Sequence, residues 1–196
     1  MGSASQKIWQ LTREIKMDKY TTQKKKRRIK MLLTIILAFS GCALLFLMIW
    51  EATVTMPFSA LAKNFPLDVQ EKLKPRLDSM PLTPKRIIGG IILVILILAW
   101  FGLFIVAGVD GKAHGFRYWD YAIRFLIIGA AVKVFDIVGL DFFLLTKTKF
   151  FQHYLPETEG CKGWKQFGYN RKQQIRQCII IPICCLLSAL AFAYLV

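Results

Sequence analysis

Two uninterrupted apolar runs constrain this chain more than any other feature. Met31 to Trp50 and Ile87 to Val109 contain no Asp, Glu, Lys or Arg. About 20 apolar residues, rising 1.5 Å each as a helix, cross the hydrocarbon core of a bilayer. Backbone N–H and C=O groups find no water there, so such runs satisfy themselves internally and fold as helices. Two later stretches, about 120–146 and 178–196, are long enough to do the same. The expected class is an all-α integral membrane protein with four transmembrane helices, at about 31–50, 87–109, 120–146 and 178–196. A basic N-terminal arm over 1–30 precedes the single membrane domain of 31–196, and short helical pieces are expected in the first loop. The 55% hydrophobic content agrees, being above that of an ordinary soluble domain.

The charge is lopsided. Lys and Arg number 27 against 12 Asp and Glu, for a net +15, and ten of the basic residues fall in the first thirty positions. A basic run placed directly before an apolar span is a retained cytoplasmic flank, attracted to anionic lipid. Lys24, Lys25, Lys26, Arg27, Arg28 and Lys30 make up that run, and no nucleic-acid partner is expected. Ile8, Leu11 and Ile15 fall at helical spacing among Lys and Arg, which suits a short amphipathic helix on the membrane surface as well as it suits an unstructured arm. The first span is too long for a cleaved signal peptide. Phe39-Ser40-Gly41-Cys42 only loosely matches a lipoprotein box, so an uncleaved anchor is the default. The five Cys include no C-x-x-C pair, and a structural zinc site is not expected.

Residues 51–86 form the largest loop and contain five of the seven Pro, which excludes one long helix. Val69, Leu73 and Leu77 share a helical face, and Asn64 is placed to cap a short helix lying against the membrane. At this length the loop is too small to make a core of its own. In the last span, Pro182 is expected to interrupt the helix early.

Two topologies fit. With the N-terminus inside and four full crossings, the 51–86 and 146–177 loops both lie outside, and Lys/Arg show no inside bias. If the third segment instead dips back, the 146–177 loop moves inside and the bias appears. The length of the third segment favours four crossings.

That third segment is apolar, yet it carries Arg124, Lys133, Asp136 and Asp141. Charges at bilayer depth are costly and face a protein interior or a hydrated cavity. On an α-helix, Lys133 lies roughly 60° from Asp136 and roughly 80° from Asp141, on opposite sides. It is thereby set to bridge both carboxylates, either as a packing lock or as an ion or ligand cluster. Arg124 is expected to pair with Asp120 at i−4. His153, Glu157 and Glu159 follow in the next loop. They are metal-ligand types at no recognised spacing, and would join Asp141 only if the chain brought all four to one depth.

Three short pieces carry a resemblance. They are Phe65-Pro66-Leu67-Asp68-Val69-Gln70, Phe135-Asp136 through Asp141-Phe142, and Pro156-Glu157-Thr158-Glu159. In this order they resemble a family of small multi-span membrane proteins common in Gram-positive bacteria, similar over roughly 60–196. The chain departs from that pattern at Glu157 and in the Cys161-Lys162-Gly163-Trp164 loop. The resemblance implies a bacterial cytoplasmic membrane and no known activity.

Three functional readings follow. The first is a small oligomeric bundle whose Lys133, Asp136 and Asp141 handle a proton, cation or charged ligand. The second is a metal-dependent membrane enzyme, holding a divalent ion with Asp141, His153, Glu157 and Glu159 and acting on lipid or isoprenoid headgroups. The third is a non-catalytic subunit meeting a membrane-protein partner. No nucleophile motif or phosphate-binding loop is present, so the balance leans away from an enzyme.

Overall fold

The computed structural model describes residues 2–55, 59–79 and 81–195. Among them the chain is helical, with no strand. It divides into two compact units, Met1–Ile36 and Leu37–Val196. The backbone of the first unit belongs to helix α1 (Gly2–Thr55). The side chains that would make the arm amphipathic, Ile8, Leu11 and Ile15, lie outside the described residues, as do those of Lys24, Lys25, Lys26, Arg27, Arg28 and Lys30.

In the second unit, the rest of α1 packs with α3 (Pro84–Ala113), α4 (Tyr118–Val134) and α6 (Arg171–Tyr194). Three helices are long and apolar enough to cross a membrane: Met31–Thr55, Pro84–Ala113 and Arg171–Tyr194. Two of them begin earlier than their apolar cores suggest. The second has Pro84 in its first turn, where the missing N–H costs nothing. The last starts seven residues before Cys178, with Arg171 and Lys172 in its first turn. Pro182 does not break it. A proline removes one backbone bond, and packing against neighbouring helices holds such a helix together.

The tightest interface joins α4 to α6. It is made by small residues that let backbones approach. A Cβ on Gly129 would stand 2.9 Å from Cys185 Sγ, and one on Gly108 of α3 would stand 2.2 Å from the Phe192 ring. Outward residues of α3 such as Ile95, Leu98 and Phe101 are exposed, as a lipid-facing surface requires.

The third charged segment is not one α-helix. After Val134 the chain continues as a π-helix, Phe135–Leu145. Its i→i+5 bonding widens the turn, and Gly139 leaves room for the Phe135 ring, which a Cβ would meet at 2.9 Å.

A second core sits in the loops. The 51–86 loop folds as a 3-10 turn, Ser59–Asn64, and helix α2, Leu67–Asp78. α2 starts after Pro66, not at Asn64: the Pro66 carbonyl accepts the first-turn N–H groups of Val69 at 3.0 Å and Gln70 at 2.9 Å. Val69 and Leu73 are fully buried, packed with Ala62, Leu145, Phe151, Leu155 and Trp164. Phe151 comes from α5 (Phe150–Tyr154), Leu155 from the joint between α5 and the 3-10 turn Pro156–Thr158, and Trp164 from the 3-10 turn Lys162–Lys165. Neither loop has a core alone; together they form one cap.

Candidate functional site

Lys133 is buried at the end of α4 and its ammonium donates three bonds. One goes to Asp136 Oδ2 at 2.8 Å, one to Gln177 Oε1 at 2.5 Å, and one to Gln174 Oε1. Gln174 turns its amide nitrogen to both carboxylates, reaching Asp136 Oδ2 at 3.3 Å and Asp141 Oδ2. Asn170 Nδ2 adds a bond to Asp141 Oδ2 at 3.0 Å. Lys133, Asp136 and Asp141 are thus brought to one place, but Lys133 does not bridge the two acids. It pairs with Asp136, while Asp141 is held by carboxamides. The π-helix explains the change: i→i+5 turns set residue 141 above residue 136, so both acids face α6, where an α-helix would splay them roughly 140° apart.

Asn170, Gln174 and Gln177 supply what the apolar pattern of the last span hides. They recur at i, i+4 and i+7, one face of the first turns of α6. That spacing was visible, but it lies upstream of Cys178, in residues read as loop.

The cluster borders a cavity of about 280 Å³. Leu45, Ile49, Leu140 and Phe151 form apolar walls, and Asp136, Asp141, Asn170, Gln173, Gln174 and Gln177 the polar one. One ammonium faces two carboxylates, so the site carries one uncompensated negative charge. Asp141 Oδ1 has no protein donor among the described residues. Asn170 Oδ1 is buried and also without a partner. Asp141 Oδ1 therefore stands open beside that charge, whereas Asn170 Oδ1 is shut away from the cavity.

Tyr169 closes the cavity on the cap side. Its hydroxyl donates to the Asn64 carbonyl. Asn64, Phe65, Tyr169, Asn170 and Gln173 line both this cavity and an outer vestibule of about 580 Å³. Burial, then the charges of Asp141 and Asp136, push the Tyr169 phenol well above its ordinary value, so it remains a donor. A folded-state pKa raised above the unfolded one adds stability that is present below about pH 10 and lost as pH rises toward the folded value. The wild type should therefore lose more thermal stability between pH 9 and pH 11 than Tyr169→Phe. Parallel melting curves of the two proteins over that range in detergent would refute it.

The other ionic expectations fall out differently. Arg124 pairs with Asp110 of α3 at 2.6 Å, also donates to the Ala107 carbonyl at 2.9 Å, and lies over the Phe116 ring. Asp120 is not its partner, because that carboxylate accepts the Arg117 N–H at the start of α4. Glu157 pairs with Arg76 at 2.6 Å, Glu159 lies 3.9 Å from Lys149, and His153 is exposed with its ring against Tyr154. These three do not converge on Asp141, and among the described residues no group of His, Cys, Asp and Glu could hold a metal ion. Cys161 is half-buried against the cap core, where burial and Asp68 raise its thiol pKa.

The three short pieces at 65–70, 135–142 and 156–159 have identifiable work. Phe65 meets Phe151 and Trp164 edge-on. Asp68 accepts the Gly163 N–H at 2.8 Å, and a Cβ on Gly163 would stand 2.2 Å from that carboxylate. Gln70 donates to the Phe65 carbonyl at 2.6 Å. Thr158 donates to the Leu155 carbonyl and accepts from Trp164 Nε1 at 3.0 Å. Two motifs build the cap, and the Asp pair lines the cavity beneath it. Comparison with protein-family models, curated proteins and solved structures finds no match to this chain.

Proposed function

We propose that this is a four-crossing membrane protein whose cavity binds and exchanges a proton or a single small cation through Asp141. The observation that carries the reading is the unbalanced carboxylate. Lys133 and Asp136 neutralise each other, whereas Asp141 has only neutral amide donors. It borders the cavity with one oxygen, Asp141 Oδ1, that has no protein donor among the described residues. One positive charge completes that site, and oxygen donors suit a hard cation or a proton. The cavity is enclosed by one chain, so assembly of several copies is not required for it.

The shared cap core supports the four crossings. Val69 and Leu73 of the first loop pack with Leu155 and Trp164 of the second, so the two loops lie on one side of the membrane. On this reading the 118–145 segment, which joins α3 to the second loop, crosses back. This arrangement forgoes the Lys/Arg bias, and the basic run before the first span puts the N-terminus in the cytoplasm. A cytoplasmic-membrane location, with anionic lipid against that run, belongs to the same reading.

Purified full-length protein in liposomes, with a pH- or cation-sensitive dye inside, tests the function. Asp141→Asn should slow flux at least tenfold, because it removes the carboxylate that would take the cation; Asp136→Asn keeps that carboxylate but leaves the Lys133 ammonium to offset it, so it should slow flux as well. Flux equal to wild type in both variants would overturn the proposal.

A further inference from the structure

A second pocket of about 430 Å³ opens where the π-helix ends, touching the vestibule's lining at Lys162. Four lysines line it: Lys147, Lys149, Lys162 and Lys165. Glu159 is the one acid there, mostly exposed and 3.9 Å from Lys149. The balance is strongly positive. Gln152 also lines the pocket, and its Oε1 is buried with no partner.

The position of the pocket identifies the kind of anion. Phe142 and Phe143, in the last turn before it, are exposed, as is Phe167. Phe167 meets Phe142 edge-on at 5.6 Å, and the Lys147 ammonium sits 5.2 Å above the Phe142 ring. An exposed aromatic cluster at the end of an apolar helix belongs at headgroup depth. The volume is within the range of small-ligand sites, and lysine ammoniums bind phosphate as point charges. We propose that this pocket binds the phosphodiester headgroup of an anionic lipid. The site explains why so many Lys lie in a loop that the charge rule would keep inside. It is independent of the cation reading, because it shares no polar group with the Asp136–Asp141 cavity.

The full chain in neutral detergent is titrated with dihexanoyl phosphatidylglycerol, dihexanoyl phosphatidylcholine and inorganic phosphate, and bound adducts are counted by native mass spectrometry. The phosphatidylglycerol should bind saturably and at least tenfold more tightly than the phosphatidylcholine. K147Q/K149Q/K162Q/K165Q should weaken it at least tenfold. Equal binding by variant and wild type would overturn the proposal. Inorganic phosphate binding as tightly as the lipid would overturn the lipid assignment. If the fourfold variant loses its thermal transition, K162Q/K165Q carries the test: at least threefold weaker binding supports the site, and no change overturns it. Asp136 and Asp141 are untouched throughout, so failure here leaves the flux experiment unaffected.

Discussion

Lys133→Met is expected to cost about 3–5 kcal/mol in reversible unfolding from mixed micelles, the usual loss when one partner of a buried ion pair is removed. The Lys133 side chain is 8% exposed and Asp136 25%, so water can replace little of what the ammonium provides. Its removal strands two acceptors, Gln174 Oε1 and Gln177 Oε1, and leaves Asp136 Oδ2 with only the long bond from Gln174 Nε2. It also leaves two carboxylates facing each other across Gln174 with nothing to neutralise either. The double variant K133M/D136N removes one of those charges and should regain at least half of the loss, a coupling that contacting residues show and distant ones do not. A loss below about 1 kcal/mol in the single variant would mean that cavity water solvates the cluster, which contradicts a buried lock. Additive losses in the double variant would mean that the pair is not an energetic unit.

Trp164→Ala should be of similar size, about 3–5 kcal/mol, as for other large aromatic deletions from a core. Trp164 is 1% exposed. It stacks on Phe151 with planes 4° apart and centroids at 5.0 Å, and its Nε1 donates to the buried Thr158 hydroxyl. Losing it opens the joint between the loops, so the damage should spread. Hydrogen exchange should quicken in Leu67–Asp78 as well as around residue 164, and the cavity roofed by the cap should bind its cation more weakly. Trp164→Phe keeps most of the ring area and loses only the hydrogen bond, so about 1–2 kcal/mol is expected. Exchange that quickens only around residue 164 would show that the two loops do not share one cooperative core.

The Trp164 loop also shows where sequence reasoning stopped. Nothing in its spacing ties it to residue 68 or 151, both of which it meets in the fold. Arg124 was assigned to Asp120 by helical spacing, whereas Asp110 sits 14 positions earlier on another helix. The cluster residues Lys133, Asp136 and Asp141 were legible because charges in an apolar run violate a simple solvation rule. Their partners Asn170, Gln174 and Gln177 were not, because neutral amides at the start of a helix violate none.

What the sequence alone determined is the class and the rough course of the chain. Apolar runs of bilayer length must be helical, since only a helix satisfies its own backbone there, and the three membrane-competent helices follow from composition without regard to neighbours. The tertiary structure decided the rest. The π turn, and not the α spacing, put both acids on one face and separated the paired Asp136 from the unpaired Asp141. Contact between two loops about 90 residues apart, seen in the 95-residue separation of Asp68 and Gly163, made a cap that neither loop encodes by itself. Local solvation is written in each segment, whereas pairing between segments depends on packing that no single segment contains.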